Sequence, residues 1–135
     1  MNNILFCSVG RRARLLMDFR ESMKGCGQLI ATDLSPVAPA LFFADKTYLV
    51  PRITEAGYFD RILEICRESS VKAITTLIDP EIEILARHRE ELLEMGILPL
   101  CPAEWTAHLC FDKYEMFRHL HSKGVRTVLT YNSIE

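Results

Sequence analysis

The chain has 135 residues, 49% of them hydrophobic and 25% charged, with a formal net charge of −2. That length and balance describe one globular domain and exclude disorder over most of it. A sequence pI near 6.1 argues against a nucleic-acid or anionic-membrane partner, which would require a basic surface.

The elements alternate along the chain. Ile4–Cys7 is a short apolar run before a glycine turn, the pattern of a strand buried on both faces. A helix follows over about Arg12–Met23, with Leu15, Leu16, Phe19 and Met23 at helical spacing, and Gly25 and Gly27 end it. Gln28–Thr32 is a second strand closing on Asp33. Leu34–Asp45 is a loop with one short helix around Ala40–Ala44. Thr47–Val50 is a third strand, stopped by Pro51. Phe59, Ile62, Leu63 and Cys66 stripe a helix over Tyr58–Ser69, and Ala73–Leu77 is the fourth strand. Asp79-Pro80-Glu81 reads as a helix start, with Asp79 as cap, proline first in the helix and an acid near its positive end. That helical stretch runs to Met95, with a break near His88, and Gly96 closes it. Ile97–Leu100 is a fifth strand and Pro102–Leu109 a short helix.

Asp112 and Glu115 are spaced as a capping box. Phe111, Tyr114, Phe117 and Leu120 then form a stripe expected to face the core, and Gly124 is the expected stop. Thr130–Glu135 is polar and expected to fray. The chain stops within a few residues of this lead-out, which suggests a first domain separated from its working partner. The alternation predicts an α/β fold: a Rossmann-like open parallel sheet of about five strands with helices on both faces.

The five cysteines are odd in number and form no Cys-x-x-Cys, so neither a disulfide framework nor a zinc site is expected. Cys7 and Cys66 lie in apolar surroundings and read as small core residues of a reduced, cytoplasmic protein. No run approaches the ~20 apolar residues of a membrane span, and Met1-Asn2-Asn3 lacks a signal peptide's basic start.

In an open parallel sheet, ligands bind beyond the carboxyl ends of the strands. That rule selects Ser8–Arg12, Asp33–Pro39, Thr76–Glu81 and Cys101–Pro102. Ser8-Val9-Gly10-Arg11-Arg12-Ala13 is a degraded Gly-x-Gly-x-x-Ala turn, with Ser8 in place of the first glycine. Its glycine and the following helix start suit an anion, although exposed arginines on a tight turn would look the same. Asp33 could hold ribose hydroxyls or a substrate, or could cap the turn that contains Ser35. Asp79 and Glu81 could hold an amine or a metal-bound substrate, yet capping alone would explain Asp79 and the helix dipole would explain Glu81. The four histidines lack ligand spacing. No catalytic set and no metal site can be assembled from these residues.

The order of these pieces resembles the N-terminal domain of ATP-grasp ligases, the carbamoyl-phosphate-synthase-like branch in particular. The likeness is carried by Ile4–Arg12, by Ala31–Leu41 with Ala44-Asp45-Lys46 and Tyr48–Pro51, by Thr76–Glu81, and by Asp112-Lys113 with Gly124–Thr127. The resemblance implies a pre-ATP-grasp domain over residues 1–125, with 126–135 beginning a linker into absent ATP-grasp lobes. It implies a substrate-binding face at Ser8, Gly10, Arg11, Arg12, Asp33, Ser35, Asp79 and Glu81. It places Lys113 against the nucleotide. The full-length enzyme would use ATP and magnesium to activate a carboxylate as an acylphosphate for attack by an amine or thiol. The lobes would come in cis or as a separate subunit, and the substrate would be small and anionic or amino-acid-like. The chain alone would be inactive, and apolar surface left uncovered could make it a homodimer. The competing reading is a stand-alone nucleotide- or dinucleotide-binding module of an oxidoreductase, against which the missing Gly-x-Gly pair speaks.

Overall fold

The computed structural model describes residues 1–133. Five strands form one parallel sheet in the order β3-β2-β1-β4-β5. They are β1 (Asn3–Cys7), β2 (Leu29–Asp33), β3 (Lys46–Leu49), β4 (Val71–Thr76) and β5 (Leu98–Pro99). The helices are α1 (Ala13–Ser22), α2 (Tyr58–Glu68), α3 (Asp79–Arg87), α4 (Arg89–Glu94), α5 (Glu104–Phe111) and α6 (Lys113–Ser122). A 3-10 turn occupies Pro39–Phe43.

The period-2 alternation of β1 divides the interior into two cores. Leu5 and Cys7 point to one face, where they pack with Ile62, Ile65, Leu85 and Leu92 of α2, α3 and α4. Phe6 points to the other, with Leu16 of α1, Ala31 and Leu41. Helices therefore cover both faces, as the alternation predicts. Cys7 and Cys66 are both buried.

Several expectations shift in detail. The fifth strand is two residues rather than four, because the chain pairs with β4 only at Leu98 and Pro99. The break at His88 is present and separates α3 from α4. Asp79 is not a cap. Ile78 holds that position with extended backbone, Asp79 is the first helical residue, and no side chain caps the helix. Asp79 and Glu81 still place acids in the first turn, where the dipole favours them.

The C-terminal helix differs most. Asp112 does cap α6, accepting from Tyr114 N and Glu115 N at 2.9 Å each. The box is only half made, since Glu115 pairs with Arg118 instead. Gly124, at φ +72°, ends the helix in a Schellman motif. Gly124 N donates to His121 O, and Val125 N to Leu120 O, both at 3.0 Å. The aromatic stripe is not a core stripe, because α6 buries no residue fully and Phe111 is half-exposed. Residues 125–133 carry no helix or strand. The expected fraying over Thr130–Glu135 falls partly on Ile134 and Glu135, outside the described residues. No helix among those described is long and apolar enough to cross a membrane.

Candidate functional site

The chain runs outward from β1 to β2 and β3, then crosses back to β4 and β5, so strand order reverses between β1 and β4. The loops leaving those two strands diverge and open a crevice at their carboxyl ends. A cleft of about 380 Å³ lies there. Ser8, Gly10, Arg12 and Asp33 line it, together with Val50–Thr54 and Ile78.

Its near wall is held by one carboxylate. Asp33 is nearly buried. One of its oxygens accepts Gly10 N at 2.7 Å, and the other accepts Ser35 N at 2.9 Å. The Gly10 carbonyl in turn accepts Ala40 N at 3.1 Å. The loop after β1 is thus tied to the loop after β2. Gly10 sits at φ +53° and Ser8 at +50°, a conformation that favours glycine and costs serine. The turn brings the Arg12 guanidinium back over Gly10, 3.8 Å from where a Cβ would stand.

Glu81 lies beneath this wall with no solvent exposure. The Tyr58 hydroxyl donates to one of its carboxylate oxygens and the Thr76 hydroxyl to the other. The Thr76 oxygen also accepts Ile78 N at 3.3 Å. One carboxyl group therefore joins the starts of α2 and α3 to the end of β4. Burial pushes its pKa up to about 7; a hydrogen bond from Ser8 works against the rise, and the nearby charge of Asp33 adds to it.

The other expected site residues are spread out. Arg11 is exposed on the β1–α1 turn and does not line the cleft. The Ser35 hydroxyl accepts Val37 N at 3.4 Å within its own turn. Asp79 is exposed and shares a second, smaller cleft of about 150 Å³ with Lys113, Cys110 and Phe111. Lys113 Nζ donates to Cys110 O at 2.7 Å. Cys101 and Pro102 belong to the β5 end, where Arg89 donates to the carbonyls of Pro99 and Cys101 at 3.3 and 3.2 Å.

The sequence reading missed the loop after β3. Pro51 read only as a strand stop, yet the carboxyl-end rule applies to β3 as well, and that signal would have added Arg52 and Thr54. It also missed Tyr58, whose partner is 23 residues away. A larger depression of about 740 Å³ lies among Met17, Arg20, Gln28 and Asp45, at the opposite, amino-terminal end of β2. There Arg20 pairs with Asp45 at 2.8 Å and Lys24 with Glu21 at 2.6 Å, so its charges are already satisfied.

A parallel sheet that opens a cleft at its switch point defines a Rossmann-like α/β domain. The chain belongs to the PylC-like N-terminal domain family, whose model matches residues 4–100. Solved structures agree in fold. An L-amino acid ligase from Bacillus licheniformis superposes with a TM-score of 0.73 at 15% identity, over 94% of this chain and 31% of that one. N5-carboxyaminoimidazole ribonucleotide synthetase from Thermotoga maritima gives 0.64 at 19% identity, over 92% and 31%. The multifunctional pyruvate carboxylase from Rhizobium etli gives 0.64 at 18%, over 98% and 13%. The chain thus spans less than a third of each of these structures. No curated protein matches it. The resemblance to the N-terminal, pre-ATP-grasp domains of ATP-grasp ligases is borne out in family and in fold.

Proposed function

We propose that this chain is the substrate-binding N-terminal domain of an ATP-dependent carboxylate–amine or carboxylate–thiol ligase. The cleft at the switch point, lined by Ser8, Gly10, Arg12 and Asp33 in a domain of this family, is the observation that supports the reading. Residues 1–125 form the domain, and 126 onward lead toward ATP-grasp lobes in cis or on a separate subunit. The exposed aromatic residues of α5, Trp105 and Phe111, give those lobes an apolar seat.

In this reading the domain's work is binding and orientation. Gly10 and Asp33 hold the near wall, and Arg12 meets the acceptor substrate. Lys113 is exposed and among the described residues its ammonium donates to one carbonyl, which leaves it able to swing to a phosphate. When bound, ATP with magnesium supplies the phosphoryl group that activates a carboxylate. Among the described residues no three His, Cys, Asp or Glu side chains stand together as a metal site.

Calorimetric titration with ATP, NAD and NADP tests the reading. The expected result is weak ATP binding that Lys113→Ala removes, with no nicotinamide binding. Tight NAD binding would replace this reading with a cofactor domain of an oxidoreductase.

A further inference from the structure

Arg12 reaches the cleft from the turn after β1, and Arg52 from the loop after β3. Among the described residues neither guanidinium takes part in an ion pair, whereas Arg14, Arg20, Arg61, Arg87 and Arg118 all do. An arginine left without a carboxylate costs nothing on an open surface. Two of them lining one concave site are a different matter, because a guanidinium fork matches the oxygens of a carboxylate or phosphate.

The rest of the lining sets the ligand's other end. Leu34, Val50, Ile53 and Ile78 are apolar. Asp33 is the acid in the lining, and each of its oxygens already accepts a backbone N–H. Beside Arg52, the Glu55 carboxylate accepts Arg52 N at 3.3 Å, so it is engaged with the backbone of its own turn. Two unpaired cations therefore outweigh one occupied carboxylate within the cleft.

We infer that this cleft takes a small ligand with a carboxylate or phosphate end and an apolar body, gripped at the anion by Arg12 and Arg52. The inference rests on the ligase reading for the view that the cleft faces the acceptor substrate. It adds the charge and shape of that substrate, and it makes Arg52 a residue that determines specificity.

The test uses the chain as it stands, with three probes of one shape: 4-methylvalerate, isoamyl phosphate and uncharged 4-methylvaleramide. Backbone amide NMR reads binding at each residue. The anionic probes should move the Gly10, Arg12 and Arg52 signals with one saturation curve, and the amide should not. Whichever anion binds more tightly identifies the head group. Arg52→Gln should weaken that binding about ten- to a hundredfold, the usual worth of a hydrogen bond to a charged group. Arg52→Lys, which keeps the charge but not the fork, should recover part of the loss. Arg52 is exposed, so these variants are expected to fold, and the rest of the spectrum reports it. Equal response to the anions and the amide overturns the inference, as does an Arg52→Gln affinity equal to the native one. Either failure leaves the ligase reading standing. NAD binding would do the reverse, removing the ligase reading while the arginine pair survived.

Discussion

At Glu81, burial and hydrogen bonding compete. The carboxyl has no exposure and two hydroxyl donors, and its pKa is raised from 4.5 to about 7. Between those two values the folded protein keeps a proton that the unfolded chain has lost. The Glu81 contribution to stability is therefore full in acid and falls as pH rises toward 7, by on the order of 3 kcal/mol. Glu81→Gln keeps the shape without the titration. Its urea midpoint should be flat across that window where the native midpoint declines. An unchanged slope in the variant would assign the titration to another group. Gly10 poses a steric question instead. A Cβ there meets nothing closer than 3.8 Å, so space is not limiting, but φ is +53°. Gly10→Ala should cost about 1–2 kcal/mol through the backbone alone, read as a fall in thermal midpoint.

Among the described helices, α6 is the one that buries no residue fully. Its cap is good and its end is well made. Asp112→Ala removes the acceptor for two N–H groups and should cost about 1 kcal/mol. Because so little of the helix is buried, the loss should appear as faster amide exchange within α6, with the exchange of β1 and β4 unchanged. Equal acceleration in all three would mean that α6 unfolds only with the sheet. The expected stripe of Phe111, Tyr114, Phe117 and Leu120 shows why spacing alone was misleading here. Helical periodicity reports which face is apolar and does not report what covers it.

Across the whole molecule, the order of elements was legible because each strand and helix carries its own local pattern. Ile4–Cys7, the Gly96 and Gly124 stops and the His88 break needed no tertiary information. The cleft lining was legible where the strand-end rule was applied, at Ser8, Gly10, Arg12 and Asp33. The burial of Glu81 depends on Tyr58 of another helix and does not show in local spacing, whereas the Arg52 wall follows once the strand-end rule is applied to β3 as well. Trp105, the single tryptophan, is 61% exposed on α5 and gives a global readout. Its emission in the isolated chain should be that of indole in water, and it should shift to the blue when ATP-grasp lobes are supplied. An already blue emission would mean that the chain covers this face by itself. The double acceptance at Asp33 has a thermodynamic side as well. Gly10 and Ser35 are clamped before any ligand arrives, so that side of the cleft is preorganised and loses little entropy on binding. Among the described residues no side-chain bond joins Arg52 to that wall; its loop closes on itself through Glu55, and Val50 N donates to Asp33 O at 3.1 Å. One wall is thus set before binding, and ordering the exposed Arg52 side chain is the entropy a ligand must still offset.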